Sequence, residues 1–347
     1  MEERGLLASV YQPPRARRAW RFEEVLGHDR LRYFSLGRWA LKEALRLAGA
    51  EPGTAVLLPG YLCREVVASV AVLGARPVYY GLTPTLEPAA HPRDWPQACA
   101  VVAVNFFGFA QDLAPFEEYC RRTGALLIED NCHGLFSRNG QGRALGCRAP
   151  LGIFSLRKSM PLPDGGALAV NDPALWGQAA GQLPFTPRPA GKRRWLRELA
   201  PIVGAKGAWS AIRLGRRLRA LKAGQELPPP DPEGEARIPG TPEPCAELGG
   251  PQLCVEPQAE TERRRALYAF CADLLAGCGV TPVFPNLPEH ATPYLFPYHA
   301  AGEAADKAES KLNACGLFSL PWPDLPVEVA AAAPQHYKDI RGAHFLW

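Results

Sequence analysis

Between Gly37 and Gly49 the apolar residues Leu41, Leu45 and Ala48 fall at i, i+4 and i+7, with Ala40, Ala44 and Leu47 beside them. That spacing predicts an amphipathic helix, closed by Gly49 and Pro52. Beyond it, apolar runs of strand length alternate with helical stretches: Ala55–Leu58, a helix over Arg64–Leu73, Pro77–Tyr80, the run Ala98–Phe107, a helix over Leu113–Thr123, and Ala125–Glu129. Gly152–Leu156 and Gly166–Asn171 read as two more strands. Strands separated by helices predict an α/β fold with a mainly parallel sheet, in which ligands sit beyond the carboxyl ends of the strands.

The pattern divides the chain into four parts. Residues 1–30 are charged and irregular and read as an N-terminal arm; 31–186 form the large α/β domain. Residues 187–244 hold one or two basic amphipathic helices, followed by a linker with seven prolines between Leu227 and Pro244. A helix over Glu260–Ala276 and a mixed region to Trp347 read as a smaller C-terminal α/β domain.

Composition refines this picture. Hydrophobic residues make up 47% and charged residues 21% of the 347, which excludes a mainly disordered chain. The net charge of +4 conceals a local excess: Pro187–Gly224 carries eleven Lys/Arg and one acid. Such a segment reads as a solvated helix face, a lid for an anionic carrier such as a nucleotide diphosphate, or a helix lying on an anionic membrane surface. No nucleic-acid module accompanies it, so nucleic acid is not expected as a partner. The ten cysteines are scattered without a CxxC pair and the opening MEERGLLASV lacks an apolar signal core, a combination that fits a reducing cytoplasm. Zinc spacing is absent, and so is an uncharged apolar run of spanning length.

The chemistry concentrates between Ala100 and Asp172. An acid ends an apolar run (ALLIED, Asp130), a histidine follows three residues later (His133), a lysine stands in a turn after another strand (GIFSLRK, Lys158), and a double glycine comes next (Gly165–Gly166). Pyridoxal phosphate needs such a set. Its aldehyde requires a lysine for a Schiff base, and its ring nitrogen stays protonated beside a buried carboxylate. Its phosphate needs donors, for which Gly37 at a helix start and Ser155 are available.

The segments LPGYLCREVVASVAVLGARPVYYGL, VAVNFFGFAQDL, GALLIEDNCHGL and FSLRKSMPLPDGGALAVND resemble, in order and spacing, those of the DegT/DnrJ/EryC1/StrS family of pyridoxal-phosphate aminotransferases. The resemblance implies the fold type I aminotransferase architecture, a homodimer, and a transaminase that moves an amino group, with glutamate as donor, to a keto acceptor such as a nucleotide-linked keto sugar in amino sugar biosynthesis. It implies Lys158 as the Schiff-base lysine, Asp130 as the partner of the pyridinium nitrogen and His133 beside the phenolic oxygen. Ser155 and the backbone at Gly37 and Arg38 would hold the phosphate, Tyr61 would lie around the ring, and Asn105 would line the substrate side. Leu36-Gly37-Arg38 replaces the family's usual Ser-Gly-Thr, and Arg38 supplies charge where that threonine is missing. Other reactions of the same cofactor, lyase or dehydratase, and a non-catalytic sensor or scaffold are the alternative readings.

Overall fold

Alternation along the short apolar strands decides which side chains meet. Val56 and Leu58 point to one face of a sheet and Leu57 to the other; Ala100 and Val102 oppose Val101 and Ala103 in the same way. Both faces are covered, so every one of these residues is buried, and each large aliphatic side chain removed from water contributes about 1.5–3 kcal/mol.

The computed structural model describes residues 3–10, 15–160, 162–188, 207, 210–215, 218, 221, 231, 233–250 and 253–345. Its strands are β1 (Arg15–Trp20), β2 (Leu31–Phe34), β3 (Ala55–Pro59), β4 (Arg76–Tyr80), β5 (Ala100–Val104), β6 (Leu126–Asp130), β7 (Leu151–Phe154), β8 (Gly166–Val170), β9 (Leu253–Val255), β10 (Thr281–Pro282), β11 (Leu295–His299), β12 (Ser319–Pro321) and β13 (Ile340–His344). Seven of them form one sheet in the order β2-β8-β7-β6-β5-β3-β4. The five strands from β7 to β4 are parallel; β8 runs antiparallel to β7, and β2, at the edge, pairs antiparallel with β8. The strand order reverses at β3, which pairs with β4 on one side and β5 on the other. A crevice opens outside the carboxyl ends of the strands at such a switch point.

The helix Gly37–Leu47 packs on one face of this sheet through Ala40, Leu41, Ala44 and Leu45. Its start lies against β8, and Gly166 explains the double glycine: a Cβ there would stand 2.3 Å from Leu36 C and 2.4 Å from Gly37 N. Only a residue without a side chain lets the two backbones approach so closely. Gly165, at φ 146°, makes the turn into the strand.

A second, antiparallel sheet has the order β10-β11-β13-β12 and packs with the helices Pro257–Leu275 and Gly302–Ala314. This is the smaller C-terminal unit, and its loop through Trp322 and the cis-bonded Pro323 reaches the crevice of the large sheet. The first thirty residues depart from the expected irregularity. The helix Glu3–Ser9 lies on Pro257–Leu275 with Leu6, Leu7 and Val10 buried, and β1 pairs with β9. The apolar residues between the charges were too few for a periodic signal; Leu6, Leu7 and Val10 are buried with the helix Pro257–Leu275, and Phe22, Val25 and Leu26, in the short helix Phe22–Leu26, are buried in a cluster with Tyr33, Leu135 and Phe154. Most of the basic segment 187–224 and the start of the proline-rich stretch, to residue 230, lie outside the described residues, whereas residues 231 and 233–244 of that stretch are described. Among the described residues no helix is long and apolar enough to cross a membrane, and no group of three or more metal-ligating side chains occurs.

Candidate active site

Four strand ends deliver the site. β3 leads into Tyr61 and Cys63, β5 into Phe106, β6 ends on Asp130 with Cys132 and His133 following, and β7 leads into Ser155, Arg157 and Lys158. With Gly37 and Arg38 from the helix start and Trp322 and Pro323 from the smaller unit, they line a cavity of about 190 Å³.

Lys158 Nζ lies 3.0 Å from His133 Nε2 and 5.9 Å from the centroid of the Trp322 ring. Burial works against its ammonium, the neighbouring Cys63, Cys132, Tyr294 and Asp130 work for it, and its pKa is shifted upward. His133 is the middle ring of a stack, 5.7 Å from Phe107 and 4.8 Å from Tyr294 and nearly parallel to both. Burial, with the charge of Lys158, holds its pKa well below the ordinary histidine range, so the imidazole is neutral. A neutral imidazole accepts at one nitrogen only. Phe107 N approaches Nδ1 at 3.4 Å while Lys158 approaches Nε2, so the tautomer is tied to the charge of the lysine. An ammonium takes Nε2 as acceptor; a free amine accepts from Nε2–H and leaves Nδ1 to Phe107.

Asp130 is 7% exposed, and its Oδ1 accepts from the Cys132 backbone N–H at 2.9 Å. Burial pushes its carboxyl above the ordinary range, against the hydrogen bonds from Cys132 and the charge of Lys158. The Cys132 and Cys63 thiols are likewise pushed up by burial and stay uncharged at neutral pH. Ser155 is 7% exposed, lines the cavity, and its hydroxyl has no hydrogen-bond partner among the described residues. Beside it Gly37 and Arg38, the first two residues of the Gly37–Leu47 helix, line the same space, and no side chain caps that helix start. Tyr61 lines the cavity too, but its ring packs against Phe106 and Tyr337 and its Oη donates to the Trp322 carbonyl. That bond ties the large sheet to the smaller unit.

Seven of the eight residues expected from the sequence therefore meet in one cavity. Asn105 does not. It is fully buried; its Nδ2 donates to Glu129 Oε1 at 2.8 Å, and its Oδ1 accepts from Gln111 N at 3.0 Å and Arg148 Nη2 at 2.9 Å. Its polar atoms are spent on the strand ends, and the substrate-lining role expected for it is not where the structure places it. Sequence reasoning passed over Cys63, Cys132, Arg157 and Trp322. The first three stand within two residues of positions it did name, so adjacency was a usable signal. Trp322 arrives from another unit, and nothing local marks it.

The charged and polar set fits pyridoxal phosphate: the Lys158 amine, the Asp130 carboxylate, the Ser155 hydroxyl and the helix start at Gly37 and Arg38 line one space of matching chemistry. The description of the DegT/DnrJ/EryC1/StrS aminotransferase family matches residues 19–207. The chain is 31% identical over 166 residues to Protein MosB of Rhizobium meliloti, which is 45% of this chain and 32% of that protein. It is 30% identical over 149 residues to the UDP-2-acetamido-2-deoxy-3-oxo-D-glucuronate aminotransferase of Pseudomonas aeruginosa, 40% of each chain. The matched span is thus less than half the length of these relatives. Among solved structures, the aminotransferase TlmJ from Streptoalloteichus hindustanus superposes with a TM-score of 0.63 at 22% identity, covering 100% of this chain and 86% of that one. The fold is the type I aminotransferase architecture.

Proposed function

The chain belongs to the DegT/DnrJ/EryC1/StrS aminotransferase family, and from that premise we propose that it is a pyridoxal-phosphate-dependent transaminase acting on a keto sugar carried by a nucleotide, with glutamate as amino donor. The observation that carries the reading is the meeting of Lys158, Asp130, Ser155 and the Gly37 helix start in one cavity at the switch point of the sheet. The relative that acts on a UDP-linked 3-oxo sugar supports the acceptor class. As in the family resemblance, the working unit is a homodimer.

Bound there, pyridoxal phosphate supplies an aldehyde that condenses with amines and a ring that takes up electrons from the substrate Cα. Lys158 holds the cofactor and, once released from it, moves the proton at the substrate Cα. Asp130 keeps a proton on the ring nitrogen through a charge-assisted hydrogen bond. Its raised pKa expresses the cost of burying it alone, a cost that a cationic partner offsets. His133 would stand beside the ring oxygen, as the family resemblance implies, and its two tautomers would let it follow the charge of Lys158. Ser155 and the backbone N–H groups of Gly37 and Arg38 hold the phosphate.

The test is the visible spectrum of the purified protein beside Lys158→Ala, with pyridoxal phosphate and then borohydride. The expected result is a yellow band in the parent alone that borohydride fixes onto Lys158. Addition of glutamate should then convert the cofactor stoichiometrically to its amine form. A fixed cofactor without that conversion by any amino acid points to lyase or dehydratase chemistry; no cofactor binding by the folded parent leaves the scaffold reading.

A further inference from the structure

Six large apolar side chains are exposed among the described residues, and three of them, Leu214, Leu218 and Leu221, lie in one stretch at 59%, 52% and 84% exposure. Residues 207, 210–215, 218 and 221 of that stretch are helical. Steps of four and three residues keep the leucines within about 60° of one another around the helix, so they form one stripe. The other side of the helix is the seated one. Ile212 packs against the apolar core, and Arg213 borders a hollow with Asp306, Glu309, Ser310 and Asn313 of the helix Gly302–Ala314. A merely solvated helix face carries polar residues where these leucines stand.

The sequence around the stripe is the most basic in the chain. Between Lys206 and Lys222 there are six Lys/Arg and no acid, within the segment Pro187–Gly224 that carries eleven Lys/Arg and one acid. Because the whole chain has a net charge of only +4, everything outside that segment is net acidic. An anionic surface therefore attracts the chain through this segment and repels the remainder. Among the described residues no helix is long and apolar enough to cross a membrane, so a stripe of this size can lie on a bilayer but not span it.

We propose that the stripe of Leu214, Leu218 and Leu221 is a docking surface for an anionic lipid bilayer, with the leucines inserted among the headgroups and the cations of the segment meeting the lipid charges. Binding of this kind scales with the apolar area buried plus the attraction to anionic lipid, and here each contribution is modest without the other. The inference makes no use of the cofactor cavity, so it stands or falls apart from the function proposed above.

The test is co-sedimentation of the full chain with vesicles of phosphatidylglycerol and phosphatidylcholine, and with vesicles of phosphatidylcholine alone, at low and high salt. The parent should bind the anionic vesicles at low salt, come off them as salt screens the charges, and leave the neutral vesicles unbound. Leu214→Gln/Leu218→Gln/Leu221→Gln changes no charge and should weaken binding by about tenfold or more. Should the triple variant not fold, Leu221→Gln alone, at the most exposed position, decides by a loss of about threefold. A parent that does not sediment with anionic vesicles at low salt overturns the proposal. Equal binding by the parent and the leucine variants also overturns it, since charge alone then adsorbs the chain, and so does equal binding to both kinds of vesicle. Self-association of the parent that the leucine variants abolish, without vesicle binding, assigns the stripe to a second copy of the chain and overturns the lipid surface as its occupant.

Discussion

Replacing Arg148 with methionine tests why Asn105 is absent from the cavity. Glu129, the neighbour of Asp130 on β6, is fully buried, and its carboxylate accepts from Arg148 Nε at 2.7 Å, Arg148 N at 2.9 Å and Asn105 Nδ2 at 2.8 Å. Arg148 also reaches the Gln111 carbonyl at 3.0 Å and Asn105 Oδ1 at 2.9 Å, so one guanidinium joins the ends of β5 and β6 to the loop before β7. Arg148→Met keeps the backbone bond to Glu129 but removes the balancing charge, and breaking a buried ion pair in this way costs about 3–5 kcal/mol. With an unfolding entropy of about 2.1 cal/mol/K per residue over the chain, that loss lowers the melting temperature by about 4–7 °C. Removing both charges in Glu129→Gln/Arg148→Met should recover most of the loss, because no uncompensated charge is left. Urea unfolding of the parent and the three variants of this cycle gives the energies. A single variant within about 1 kcal/mol of the parent, a difference that ordinary substitutions produce, or a double variant no better than Arg148→Met, would refute the reasoning. Asn105→Ala belongs to the same network and should cost about 1–3 kcal/mol in stability while leaving pyridoxal phosphate affinity unchanged; weaker binding without a stability loss would restore the ligand role.

Two further outcomes follow from the geometry. His133 is held neutral in the folded chain by burial and by Lys158 and His344, whereas the unfolded chain binds a proton near pH 6.5 as an ordinary histidine does. The unfolded state therefore takes up more protons, and stability falls as the pH drops below about 6.5. His133→Gln removes this contribution, so the parent's urea-unfolding free energy should fall relative to the variant's as the pH drops below about 6.5, while above that pH the difference stays constant; a constant difference at every pH would count against the assignment. Gly166→Ala places a methyl within 2.4 Å of the Leu36–Gly37 backbone, which must move away. The expected destabilisation is about 1–3 kcal/mol, with weaker cofactor binding because the first turn moves too; an unchanged melting temperature and affinity would show that the contact relaxes freely.

The sequence by itself determined the elements of the large domain. Alternating apolar residues and helical spacing are local properties: the helix at Gly37 stands where that spacing puts it, and two strands lie within two residues of it, ending at Asp130 where the pattern predicts Glu129 and at Phe154 where it predicts Leu156. The order of Asp130, His133, Lys158 and the double glycine also carried the site, because strand ends in a parallel sheet converge on one edge. Tertiary structure decided the rest. Whether Asn105 faced a ligand or the fold depended on Arg148, forty-three residues away, whose guanidinium claims its oxygen. Trp322 became a wall of the cavity only because the smaller unit packs over Tyr61. The first thirty residues gained their helix and strand from partners more than two hundred residues later, Pro257–Leu275 and β9. Pairings at such separations leave no period in the sequence, since each partner supplies only half of the hydrogen bonds and half of the apolar surface that stabilise the other.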